Sequence, residues 1–126
     1  MKLSDLKSFL ESSLGGSDFK IRIASDIAVF ERGLAERGRS APVTVIDDAE
    51  ILVTTESVRT LCEAYLHGDL TESFLYYICT ALLLSEAVVF SGQQIRELVE
   101  SISDPIVNGA ISEGTILKVV RSLDEI

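Results

Sequence analysis

From Ser73 to Leu84 the chain reads SFLYYICTALLL, a stretch with no charged side chain. Leu75, Ile78, Cys79, Leu82 and Leu83 repeat at helical spacing, and Phe74, Tyr77, Ala81 and Leu84 fill the opposite side with apolar groups. A helix that is apolar nearly all round is buried on most sides. The fold must therefore be built around this segment. Thr71 is the expected N-cap, with Glu72 favourable beside the positive end of the helix dipole.

The rest of the chain supplies amphipathic helices to surround it. Leu6, Phe9, Leu10 and Leu14 make one face of a helix over about 4–14, with Ser4 as its cap and Gly15-Gly16 as its stop. FKIRI alternates like a strand, but Phe19, Ile23, Ile27, Phe30 and Leu34 continue at steps of four, four, three and four. The longer pattern predicts one helix over about 18–37, ended by Gly38. Val58, Leu61, Cys62, Tyr65 and Leu66 predict a helix over about 55–67, capped near Thr55 and ended by Gly68. Ile95, Leu98, Val99 and Ile102 predict another over about 91–102, capped by Ser91. Ile116, Val119, Val120 and Leu123 predict the last, over about 112–124, capped by Ser112.

Two segments break the helical period. APVTVIDDAEILVTT places β-branched residues on both sides of Asp47-Asp48-Ala49-Glu50. It predicts a short hairpin, with strands near 43–46 and 51–54 and an acidic turn. An isolated hairpin is marginal in water, so it should lie against the helices. SISDPIVNGAIS, residues 101–112, holds Pro105, which cannot continue a helix, and Asn108-Gly109, which tolerates positive φ. It predicts a rigid corner. The fold class expected is mainly α: residues 1–126 as a single helical domain, a compact bundle of about six helices with one short β-hairpin over about 43–54 packed against it.

A chain of 126 residues suits one domain with its own core. Apolar residues are 47% of it, so either that core is large or a partner covers apolar surface. The run from 74 to 90 includes Glu86 and is shorter than the roughly 20 residues of a membrane span. The N-terminal MKLSDLKSFLESSL is amphipathic and carries Asp5 and Glu11, unlike a signal peptide. The expected location is the cytoplasm, with no membrane association.

Charge is divided unevenly. Residues 1–40 hold seven Lys/Arg against six Asp/Glu, and residues 41–126 hold four against fourteen, giving a net charge of −9. An acidic surface repels nucleic acid phosphates and attracts basic proteins. It also keeps an apolar protein soluble.

No catalytic constellation stands out. Cys62 and Cys79 both fall on apolar helix faces and read as reduced core thiols. His67 is the only histidine, at a helix end where partial positive charge is favourable. Neither G-x-G-x-x-G, nor a P-loop, nor a calcium loop occurs. No enzyme activity, cofactor or metal site is expected, although an enzyme using carboxylates in a cleft is the minor alternative. The DDAE turn at 47–50 has three readings: a solvated turn, a weak cation site, or a negative prong for a basic partner. Tyr76 and Tyr77 point about 100° apart on a helix, so they cannot share one neighbour; an exposed tyrosine beside acids would suit an interface, but a half-buried core tyrosine is the expected state.

The segment from Val58 to Ser112 carries an LC..YL.G.L helix end (Leu61–Leu70), a YI...L.L helix (Tyr77–Leu84) and an F....I.E...SI.DP..NG stretch (Phe90–Gly109). It resembles the small acidic immunity proteins of bacterial contact-dependent inhibition and polymorphic-toxin systems. Family members commonly carry an acid after the proline of the DP turn, where this chain has Ile106. The resemblance implies a non-enzymatic protein that binds and neutralises a cognate basic toxin domain, a nuclease in the first instance, through its acidic surface. Asp47, Asp48 and Glu50 at the hairpin turn and Asp69 and Glu72 at the following helix corner are the expected partner-binding residues. The alternative is a structural or regulatory module that forms a homodimer.

Overall fold

Thirteen residues from Glu72 to Leu84 form the helix on which the molecule is organised, as the all-round apolar pattern requires. The computed structural model describes residues 1–37, 43–103 and 110–126. Among these, six helices and two strands follow one another. They are α1 (Leu3–Leu10), α2 (Gly16–Arg37), β1 (Ile51–Val53), α3 (Thr55–Leu66), α4 (Glu72–Leu84), β2 (Val88–Phe90), α5 (Gln93–Ser103) and α6 (Glu113–Asp124). The fold is mainly α. No helix among the described residues is long and apolar enough to cross a membrane.

α4 buries Leu75, Tyr77, Ile78, Cys79, Ala81 and Leu82 and packs against α2, α3 and α5. α2 presents Phe19, Ile23, Ile27 and Phe30 to the core, the face that steps of four and three residues define. Phe30 stacks on Tyr76 at 5.7 Å between ring centroids and meets Tyr77 edge-on at 5.3 Å. Phe19 stacks on Phe9 of α1 at 4.6 Å. α3 buries Val58, Leu61 and Cys62 and packs against α6, which buries Ile116, Val119 and Leu123.

Several ends are fixed as the sequence implies. The Thr71 hydroxyl accepts from the Phe74 N–H, and α3 and α6 open with reciprocal boxes between Thr54 and Ser57 and between Ser112 and Thr115. Gly68 takes φ +83° and ends α3.

Other ends differ. α1 stops at Leu10, not near Leu14, because Ser12 turns into the left-handed region at φ +63° before the glycines are reached. Ser4 lies inside α1, and Lys2 holds the N-cap position with no side-chain bond of its own. Ser91 is not the cap of α5, which starts at Gln93; the Ser91 N–H donates to the Val53 carbonyl at 2.9 Å and closes the strand pair. Gly38, Pro105 and Asn108-Gly109 lie outside the described residues.

The strands pair otherwise than in a hairpin. The strand expected at 51–54 is present as β1, but its partner is β2 rather than residues 43–46, and the pair is parallel. Ile51, Leu52 and Val53 stand opposite Val88, Val89 and Phe90. Residues 43–46 run instead beside the N-terminus, where Ile46 makes a single parallel bridge to Lys2. A parallel pair needs a long crossover, which α3 and α4 supply.

Tyr77 fastens the 43–46 stretch to the core. Its hydroxyl accepts from the Thr44 N–H and donates to the Thr44 carbonyl, both at 3.0 Å. Tyr77 is thus buried and Tyr76 half-buried, the core state expected for this pair. Tyr77→Phe removes both bonds and should cost about 1 kcal/mol in a denaturant melt.

Candidate acidic docking cleft

The strands are short, but they set up the most distinctive surface of the molecule. Ile51, Val53 and Val88 point into the core, so strand alternation turns Leu52 and Val89 outward. These two side chains are 59% and 61% exposed, high for adjacent apolar residues in register. Beside them lies a cleft of about 700 Å³. β1 and its flanks contribute Glu50, Leu52 and Thr54; the β2 side contributes Glu86, Ala87 and Val89. α1 closes one wall with Lys7, Leu10 and Glu11, and the start of α3 adds Glu56.

Four glutamates against one lysine make the lining strongly acidic, around an apolar floor. Glu56 lies 3.9 Å from Arg59, a loose surface pair that screens little of its charge. Arg59 makes its close contact elsewhere, with Asp124 at 2.7 Å. No ion pair within 4 Å engages Lys7, Glu11, Glu50 or Glu86 among the described residues. This arrangement suits a basic chain with apolar side chains.

The expected binding residues divide into different roles. Glu50 lines the cleft. Asp47 is exposed nearby and accepts from the Ser85 hydroxyl at 2.6 Å. Asp48 has a structural bond instead. Its carboxylate accepts from the Ser4 N–H at 2.8 Å and from the Ser4 hydroxyl at 2.7 Å. It therefore caps the Ser4 N–H in the first turn of α1 from 44 residues away, a task the Lys2 side chain leaves undone. Asp69 and Glu72 are exposed at the α3–α4 corner, where Asp69 lies beside Gly16 at the start of α2. They do not line the cleft.

The Ser4 hydroxyl and N–H hold the Asp48 carboxyl below the usual carboxylate range. A depressed folded-state value means stability present above the unfolded value and lost as pH falls through the folded one. Asp48→Ala should therefore lower the thermal midpoint at neutral pH, and the difference from the parent should shrink in strong acid. Paired melts followed by circular dichroism at the two pH values measure this.

Glu11, Glu56, Glu86 and Lys7 were not singled out in sequence, because the parallel pairing that assembles them is non-local. The available signal was AVVF at 87–90, a β-branched run between Glu86 and Ser91-Gly92. Cys62 and Cys79 are free and buried; burial pushes the Cys62 thiol up to about 12 and raises Cys79 as well, so both stay protonated. His67 forms the exposed C-cap of α3. Among the described residues no three His, Cys, Asp or Glu side chains gather to hold a metal ion. No family model matches the chain, and neither a curated protein nor a solved structure matches it.

Proposed function

We propose that this protein is a non-enzymatic inhibitor of the immunity type, which binds and neutralises a basic toxin domain, a nuclease being the first candidate. The observation that supports it is the cleft, where Glu11, Glu50, Glu56 and Glu86 surround exposed Leu52 and Val89. A nuclease must be basic to approach phosphates, and an acidic cognate surface associates with it quickly. In this reading the cleft is the centre of the interface, in place of the acidic turn and the α3–α4 corner taken together, with Glu50 kept and Asp48 holding α1. The resemblance in residues 58–112 supports the same class of partner.

The test is capture of the basic domain encoded beside this gene, with association rates measured at low and physiological salt. Between about 0.01 M and 0.15 M salt the Debye length shrinks from roughly 30 Å to 8 Å, so steered association should slow by tenfold or more. Nuclease activity of the captured domain should fall with each equivalent of this protein added. A captured domain whose activity is untouched, or an association rate indifferent to salt, overturns the proposal.

A further inference from the structure

We propose that the partner enters the cleft as an extended segment that adds to the free edge of β1, presenting Lys or Arg alternately with apolar side chains. This rests on the acidic-docking reading above and adds to it the conformation of what docks.

The strand register carries the first part. The Ile51 N–H donates to the Ala87 carbonyl at 3.0 Å, and the Ser91 N–H donates to the Val53 carbonyl at 2.9 Å. In a parallel ladder, alternate residues of a strand turn their N–H and C=O toward the neighbour. Ile51 and Val53 therefore face β2, and Leu52 turns its N–H and C=O to the opposite side. Among the described residues no backbone partner meets Leu52 there. An unpaired edge of this kind is a template for another strand.

The cleft carries the second part, because β1 lines it from Glu50 to Thr54 together with Glu86 and Val89 on the β2 side. Glu50, Ile51, Leu52 and Thr54 line it in sequence on one side, and Lys7, Leu10 and Glu11 of α1 face them across it. The alternate side chains of a segment paired with Leu52 fall on the face of Ile51 and Val53, which takes apolar groups, and the others turn to the outer face, where Glu50 stands beside Leu52. Charge complementarity selects lysine and arginine for these. An apolar strip with an acidic border therefore reads an alternating basic and apolar strand.

The experiment uses the full chain and two probes: a short, end-blocked peptide of alternating lysine and valine, and the same peptide N-methylated at every backbone amide. Methylation keeps charge and side chains but removes the N–H groups that strand addition needs. Fluorescence anisotropy gives the affinities, and amide chemical shifts give the location. The expected result is binding of the first peptide, with shifts at Glu50–Val53 and Glu86–Val89, and binding of the methylated peptide weaker by about tenfold. Glu50→Lys with Glu86→Lys should weaken both peptides. Equal affinity for the two peptides overturns strand addition while leaving acid-driven docking standing. Shifts centred on Ile21 and Val29 of α2 overturn the cleft itself. No binding of either peptide also overturns strand addition at this edge.

Discussion

Phe30→Ala should lower the urea midpoint of this protein sharply. Phe30 is fully buried and touches both tyrosines of α4, so its removal empties the junction between α2 and the central helix. A buried Phe→Ala change costs about 3–5 kcal/mol, a large part of the roughly 5–15 kcal/mol that holds a domain folded. The exposed apolar residue Val29, next in the chain, is the control: Val29→Ala should change stability by less than about 0.5 kcal/mol. Urea melts of the two variants measure the difference. Near-equal costs would mean that α2 does not pack on α4 through this face.

The largest expected functional effect comes from reversing charge in the cleft. Glu50→Lys combined with Glu86→Lys should slow association with a basic partner by about 10- to 100-fold and flatten its salt dependence, because both lie in the lining. Both residues are exposed and neither makes an ion pair among the described residues, so the fold should be unaffected. Asp69→Lys with Glu72→Lys, at the α3–α4 corner, should have a smaller effect on rate. The two double variants together separate a localised docking site from a general acidic field. Stopped-flow association rates at two salt concentrations give the comparison. Equal slowing by both pairs would assign the effect to net charge.

The contrast between these two residue sets shows where sequence was informative. The faces of α2, α3, α4 and α6 were legible because burial follows a local period of three and four residues. Phe19, Ile23, Ile27 and Phe30 overrode the strand-like alternation of FKIRI because a helix face continues and a five-residue alternation does not. The Thr71 and Ser112 caps were legible because each hydroxyl acts on an N–H three residues away. The pairing of β1 was not legible. Its partner lies beyond two helices, and the nearer run at 43–46 has the same β-branched composition. Reading a hairpin there made a turn of Asp47 to Glu50, and with it a single acidic prong.

Asp48 illustrates the same limit. Three acids in four residues look equivalent in sequence, yet one is committed to Ser4, one touches Ser85, and Glu50 alone lines the cleft. Nothing within a few residues of Asp48 announces a helix end 44 positions earlier. The acidic character of the surface was legible in the charge count of residues 41–126. Its concentration around Leu52 and Val89 required the register of two strands.

The central claim is that the cleft beside β1 is where a basic protein docks. Amide hydrogen exchange of the full chain, alone and with the captured basic domain, tests it most directly. The account predicts added protection in three stretches, 7–11, 50–54 and 86–90, with the outer face of α2 unchanged. Protection confined to α2, or to the α3–α4 corner around Asp69 and Glu72, would contradict it.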